Sequence, residues 1–367
     1  MKVPFFRYSH IYTSIEQSYL NVLRDVGRRG AFVLQQDLAE FEQALALFTG
    51  AKYAVGVANA TDGLQMAMMA GGLQAGDEVL FCAHTMMATA SAIHYAGGIP
   101  VPVETGPDHL IDFSKIEMAI TPKTRSICPT QLNGRTANMD QIQGVADKHG
   151  LQIYEDAAQA LGSKWNGKCA GTFGVASCIS FYPAKVLGTL GDAGAVLTNN
   201  EDVYDQLMLL RNHGRDDNDD VSLWGFNSRL DNLHAAFLHM QLKDYPSVIE
   251  RRRELAARYQ DQLGGIEGII LPPSPDSDAR HFDIYQNYEI ESDRRDELKI
   301  FLEKNGVGTH IPWGGKLVHQ FHRLGFDQSL PFSERLMSRM LLLPMNMSLT
   351  NEEIDYVCAR IFKFCRG

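Results

Sequence analysis

Cysteine is scarce in this sequence and badly spaced for metal or disulfide work. Its six cysteines, Cys82, Cys128, Cys169, Cys178, Cys358 and Cys365, include no C-x-x-C pair in a chain of 367 residues. That argues against a zinc site and a disulfide scaffold, and leaves free, mostly buried thiols as the expectation. Basic charge is in deficit too. With a formal net charge of -10 and no basic run or basic helix, the chain carries no footprint for nucleic acid or an anionic membrane surface, so an anionic ligand would need a local basic pocket. Long apolar runs are missing: no stretch is long enough to span a bilayer, and the N-terminal MKVPFFRYSH lacks the apolar centre of a signal peptide. A soluble, cytoplasmic protein is expected. No internal repeat or low-complexity segment is found either. What is plentiful is apolar content, 45% of residues, enough for a large core in two lobes or in one large domain and a smaller one.

The middle of the chain alternates two periodicities. YAVGVAN, EVLFCA, IPVPVE, RSICPT, LQIYED, SCISFY and AVLTN read as about seven strands, and amphipathic segments over 61–69, 85–95 and 140–149 read as helices between them. The alternation predicts a parallel α/β sheet in a large domain over residues 1–245. A long helical pattern over 247–263 then gives way to GGIEGIILPPSPDSDAR, whose Gly, Pro and Asp break it. YQNYEIES, a helix over 294–304 and a last helix over 351–364 predict that residues 246–367 form a linker helix and a small C-terminal α/β domain.

Ligands of an open parallel sheet sit at the carboxyl ends of its strands, so the residues ending each apolar run carry the most weight. After YAVGVAN comes Ala60-Thr61-Asp62-Gly63, a turn opening a helix, whose amides and threonine hydroxyl suit a phosphate or simply cap the helix. After LQIYE comes Asp156, which needs a positive partner if buried, a protonated ring nitrogen for instance, or else caps a following helix. Lys185 ends the next strand pattern, five residues after Ser180 and before Gly188, Gly191 and Gly194. It reads as an imine-forming amine or as a solvated loop lysine. Phosphate turn, strand-end Asp and strand-end Lys, in that order, are the three anchors that pyridoxal 5'-phosphate requires: amides and hydroxyls for its phosphate, a carboxylate for its pyridinium, an amine for its aldehyde.

GVANATDGLQMAM, AGDEVLFCAHTMMATASAI, ITPKTRSICPTQLNGRTANMDQI, IYEDAAQALGS, GTFGVASCISFYPAKVLGTLGDAGAVLTN, LLRNHGRD and WGFNSRLDNLHAAFL together resemble the DegT/DnrJ/EryC1/StrS family of sugar aminotransferases, over nearly the whole chain. The resemblance implies the type I, aspartate aminotransferase-like fold of pyridoxal phosphate enzymes, a homodimer with shared active sites, and L-glutamate as amino donor to a keto- or aldehydo-sugar. It implies that Lys185 joins the cofactor as an imine and later moves protons. Asp156 would pair with the pyridine nitrogen, and Gln159 would bond the ring hydroxyl. Thr61 and Ser180 would hold the phosphate, with Asn227 reaching it from the other subunit. His213 and Arg229 fall in matching motifs, with their roles open.

Three departures from the family pattern stand out. Ala60 replaces the usual Gly before Thr61, which leaves the amide donor in place. Met86 stands where an aromatic usually stacks on the cofactor ring, and offers a softer sulfur contact unless it is a core methionine. HIPWGGKLVHQF replaces the family's small-domain motif, making His310, Trp313, Lys316 and His319 the candidate sugar contacts. Trp313 would provide a flat face and Lys316 a charge for a carboxylate, the alternative for Lys316 being a solvated loop lysine. That segment directs the expected acceptor toward 8-oxo-3-deoxy-octulosonate, aminated to 8-amino-3,8-dideoxy-manno-octulosonate for lipopolysaccharide; the alternative is a nucleotide-linked 3-keto or 4-keto hexose. A non-enzymatic regulatory relative is disfavoured by the joint presence of Lys185, Asp156 and Gln159. The family's sugar dehydratases carry histidine in place of the lysine, so Lys185 argues against them.

Overall fold

The seven apolar runs form the strands of one sheet in a computed structural model that describes residues 1–366. They are β1 (Tyr53–Val57), β2 (Glu78–Cys82), β3 (Ile99–Val103), β4 (Thr124–Cys128), β5 (Gln152–Asp156), β6 (Ala176–Ser180) and β7 (Gly194–Thr198), side by side in the order β1-β7-β6-β5-β4-β2-β3. The inner strands are apolar along their length because helices cover both sides. In β7, Ala195 and Leu197 face a core with Leu38, Phe41 and Leu238, while Val196 faces the opposite core with Leu64, Met66 and Leu207.

The sheet is mostly parallel. β2/β3, β2/β4, β4/β5 and β5/β6 pair in parallel, but β7 runs antiparallel to both β6 and β1. The reason is the connection: a parallel return needs a crossover, usually helical, and residues 181–193 form only turns and bends. Lys185 therefore sits on a short return between antiparallel neighbours.

The expected helices form as Ala60–Ala70, Met87–Tyr95, Met139–His149, Tyr245–Leu263, Arg295–Lys304 and Asn351–Arg366. The long Tyr245–Leu263 helix joins two cores. Tyr245 and Ile249 pack with Leu38 and Phe41 beside the large sheet, whereas Leu255, Tyr259 and Leu263 pack with Tyr288, Leu341 and Ile361. The latter core surrounds a three-stranded antiparallel sheet of Ile269–Ile270, Tyr288–Ser292 and Met340–Leu343, in that order. Val3 belongs to it as well and bridges to Val307, so the first residues of the chain pack with the C-terminal region. No helix among the described residues is long and apolar enough to cross a membrane.

Candidate active site

Residues at or just past the ends of β2 (Thr85), β4 (Thr130), β5 (Asp156) and β6 (Ser180) border one cavity of about 460 Å³. Asp156 is the last residue of β5 and 6% exposed. Strand alternation turns it and its neighbour acid to opposite sides. Glu155 points away from the cavity and accepts from Gln131 Nε2 at 2.7 Å, Gly171 N at 3.0 Å and Phe173 N at 2.6 Å. Burial pushes its pKa up to about 7 against the pull of those donors, which marks a structural carboxyl. Asp156 instead accepts from Thr89 Oγ1 at 2.6 Å through Oδ2 and from Ala158 N at 3.2 Å through Oδ1. Each of its oxygens keeps capacity for another donor. The residues after it form a turn, so there is no helix for it to cap.

Lys185 borders the same cavity, half-buried, its backbone N–H donating to Tyr182 O at 2.8 Å. Burial lowers its pKa from the ordinary lysine value, with the Asp156 carboxylate partly opposing that. A lysine so placed sheds its proton more readily, which favours the neutral, nucleophilic amine.

The Ala60–Gly63 turn opens a helix, as the sequence predicts. Asn59 caps the Ala60–Ala70 helix, its side chain accepting from Asp62 N at 2.9 Å, and the first-turn amides of Ala60 and Thr61 have no intrahelical acceptor. Both residues border the cavity, as does Ser180. Gly194, opposite Ser180 in the β6/β7 ladder, lies against this turn so closely that a Cβ on it would meet Ala60 N at 2.7 Å. Gly194→Ala is therefore expected to cost about 1–3 kcal/mol of stability through overpacking against backbone, read as a lowered urea midpoint. An unchanged midpoint would show that the helix end yields freely.

Met86 precedes the Met87–Tyr95 helix, 53% exposed at the cavity edge, so it is not a core methionine. Gln159 Oε1 accepts from Asn133 N at 2.9 Å and from Asn287 Nδ2 at 3.3 Å. His310 and Trp313 border the cavity from the C-terminal region.

Residues 13–362 match the model of the DegT/DnrJ/EryC1/StrS aminotransferase family. The chain belongs to that family. It is 36% identical over 370 residues to a Geobacillus stearothermophilus protein named a pleiotropic regulatory protein, covering 100% of this chain and 99% of that one. It is likewise 36% identical over 353 residues to dTDP-3-amino-3,4,6-trideoxy-alpha-D-glucose transaminase of Streptomyces venezuelae, covering 95% of this chain and 92% of the relative. The crystal structure of S. venezuelae DesV in complex with a ketimine intermediate superposes with a TM-score of 0.96 at 34% identity, over 100% of this chain and 99% of that one. The protein is thus a sugar aminotransferase of the type I pyridoxal phosphate fold, and pyridoxal 5'-phosphate is its cofactor. The site fits that group: an amine with a lowered pKa, a carboxylate with free acceptor capacity and a helix end with free amides border one hollow.

Three candidates of this DegT-family chain do not border the cavity. His319 is 1% exposed, with Nε2 on Glu334 Oε1 at 2.9 Å, so it is tied into the small-domain side. Lys316 is exposed to solvent. Trp313, Gly314 and Gly315 all take positive φ (52°, 68° and 83°), and this turn leaves Lys316 outside the cavity. Asn227 is exposed and lies beside the Ala60–Gly63 turn: neighbouring Ser228 donates to Asp62 Oδ2 at 2.8 Å. His213 and Arg229 also stay outside, Arg229 Nη1 donating to Asn212 Oδ1 at 3.0 Å.

Sequence reasoning missed Thr89, Asn133, Asn287 and Glu289. Asn133 carried a signal, the Asn-Gly pair in QLNG, which marks a left-handed turn, and its φ is 56°. The others carried none: only the fold brings Glu289 of the small sheet, and Asn287 just before its strand, to Asn133 and Gln159.

Proposed function

We propose that the protein transfers the amino group of L-glutamate to the ketone carbon of a nucleotide-linked 3-keto hexose. The observation that carries this reading is the meeting of Lys185, Asp156 and the Ala60–Thr61 helix end on one cavity, in a chain similar to a transaminase named for a 3-amino sugar. The bound cofactor supplies a carbonyl to hold the amino group between substrates and a ring that accepts electrons. Lys185 moves the proton at the reacting carbon. Asp156 keeps the ring nitrogen protonated, and Gln159 bonds the ring hydroxyl. Thr61, Ser180 and the amide of Ala60 hold the phosphate, and Met86 covers one ring face. Asn227 completes the phosphate site of a partner subunit, so the enzyme works as a homodimer. The segment 1–245 serves as the cofactor-binding lobe and 246–367 as the lobe that closes over the acceptor, through His310 and Trp313.

The octulosonate acceptor rests on a cation for its carboxylate. Lys316, the residue named for that, is exposed outside the cavity, and the acidic side chains Asp192 and Glu289 border the hollow. A nucleotide-linked hexose brings a diphosphate that needs cations as much as a carboxylate does, so what favours the keto-hexose is that relatives are named for dTDP- and UDP-linked 3-amino or 3-oxo sugars. Incubation with glutamate and a panel of dTDP- and UDP-linked 3-keto and 4-keto hexoses, alongside 8-oxo-3-deoxy-octulosonate, is expected to give 2-oxoglutarate fastest with a 3-keto nucleotide sugar. Fastest turnover of the octulosonate would reverse the choice. Mixing inactive Lys185→Ala and Asn227→Asp subunits should restore part of the activity, and verified heterodimers that stay inactive would remove Asn227 from the shared site.

A further inference from the structure

Trp313 holds a backbone conformation that a bulky residue adopts only under constraint. Its φ is 52°, in the left-handed region, and it borders the cavity half-buried. The one polar restraint on its side chain is the indole N–H, which donates to His84 Nδ1 at 3.1 Å. His84 follows β2 and is 1% exposed, so its ring has no water to turn toward. Its other nitrogen, Nε2, lies 3.2 Å from Glu289 Oε1.

Those two contacts fix the tautomer. The indole can only donate, so Nδ1 must present its lone pair, and the proton sits on Nε2, where the carboxylate receives it. Glu289 is 2% exposed and also accepts at Oε1 from His109 Nδ1 at 2.7 Å and from Asn133 Nδ2 at 3.0 Å. His109 Nε2 lies 3.1 Å from Glu291 Oε1, and Arg339 Nε lies 3.0 Å from Glu291 Oε2. With a carboxylate on each nitrogen, His109 is an imidazolium, and burial opposing it is outweighed by Glu289 and Glu291, which raise its pKa to about 10.

We infer that His84, oriented by Glu289, is a positioning residue that holds the indole of Trp313 as the wall against which the acceptor sugar is placed. The chain Glu289–His84–Trp313 crosses from the small sheet to the end of β2 and back. Asn133 extends it to Gln159 on the cofactor side, through its N–H on Gln159 Oε1. The small-sheet side and the acceptor wall are in this way joined in one hydrogen-bonded unit. The inference rests on the reading of this cavity as the acceptor site.

The test uses holoenzyme labelled with 5-fluorotryptophan, whose three tryptophans, Trp165, Trp224 and Trp313, give three ¹⁹F resonances, Trp313 assigned by Trp313→Phe. In His84→Phe the Trp313 resonance is expected to shift and broaden while the other two hold, a local change that also reports an intact fold. In His84→Asn, whose amide oxygen takes the place of Nδ1, it should return toward wild type. With the keto-sugar, His84→Phe should raise KM about tenfold, the scale of one lost positioning hydrogen bond, while the glutamate half-reaction stays within about twofold. Trp313→Phe cuts the same bond from its half-exposed end and should show the same split. An unmoved Trp313 resonance would overturn the positioning role whatever the kinetics. A moved resonance with unchanged acceptor KM would overturn its link to the sugar. Failure of wild type with every keto-sugar would overturn the acceptor reading beneath it.

Discussion

Lys185→Met is expected to abolish transamination while making the cofactor-free protein more stable at neutral pH. The first effect follows from the loss of the amine proposed to move protons at the reacting carbon, a role whose removal costs about 10³-fold or more. The second follows from burial, which lowers the Lys185 pKa in the folded chain. A base with a lower folded than unfolded pKa binds its proton less well when folded, so between those two values the unfolded chain carries more protons and stability rises with pH. Below the folded pKa the full penalty is present; above the ordinary lysine value, about 10.4, it is gone. The melting temperature of cofactor-free Lys185→Met should therefore exceed that of wild type near pH 7, and the gap should narrow as pH approaches that upper value. Release of 2-oxoglutarate within tenfold of wild type would remove Lys185 from the reaction. A lower melting temperature at neutral pH would show that the lysine is solvated in the folded state. Borohydride treatment of wild-type holoenzyme should fix the cofactor on the peptide carrying Lys185, and a label on another peptide would move the imine elsewhere.

What the sequence made legible is what local pattern encodes. Seven apolar runs became seven strands, and the residues closing them, Thr61, Asp156 and Ser180, with Lys185 just beyond, meet at one hollow because strand ends converge in an open sheet. The antiparallel turn of β7 was hidden, since strand direction depends on what connects β6 to β7 and not on the pattern of either strand. HIPWGGKLVHQF shows a sharper limit. His310 and Trp313 reach the cavity, yet Lys316 and His319, a few residues on, do not, because three successive positive φ values turn the chain between them. A Gly-Gly pair such as Gly314-Gly315 marks a turn, but nothing in it says that Trp313 shares the turn's conformation. Glu289 was illegible for another reason: in EIES it reads as one polar residue of an alternating strand, and its ligands His84, His109 and Asn133 come from distant parts of the chain.

Asp156→Asn is expected to lower turnover by about 10²–10³-fold while leaving cofactor affinity within about tenfold, because it removes charge without removing shape. The ring nitrogen of the cofactor stays protonated only next to a negative partner, and of the two acids that close β5 only Asp156 borders the cavity. Affinity should persist because the proposed phosphate anchors at Ala60, Thr61 and Ser180, and the Lys185 amine, are untouched. The fold should persist too. The amide oxygen can still accept from Thr89 Oγ1, whose bond to Asp156 Oδ2 is 2.6 Å in the wild type. Thr89→Val is the graded control: it takes away one hydrogen bond of about 0.5–1.5 kcal/mol from a carboxylate that remains charged, so turnover should fall by about tenfold at most. Both half-reactions share the electron-accepting ring, so Asp156→Asn should slow the glutamate and sugar halves alike. In that respect it differs from variants at the acceptor wall, which should slow the sugar half alone. Near-normal turnover in Asp156→Asn, or a deficit confined to one half-reaction, would mean that the carboxylate does not face the ring nitrogen.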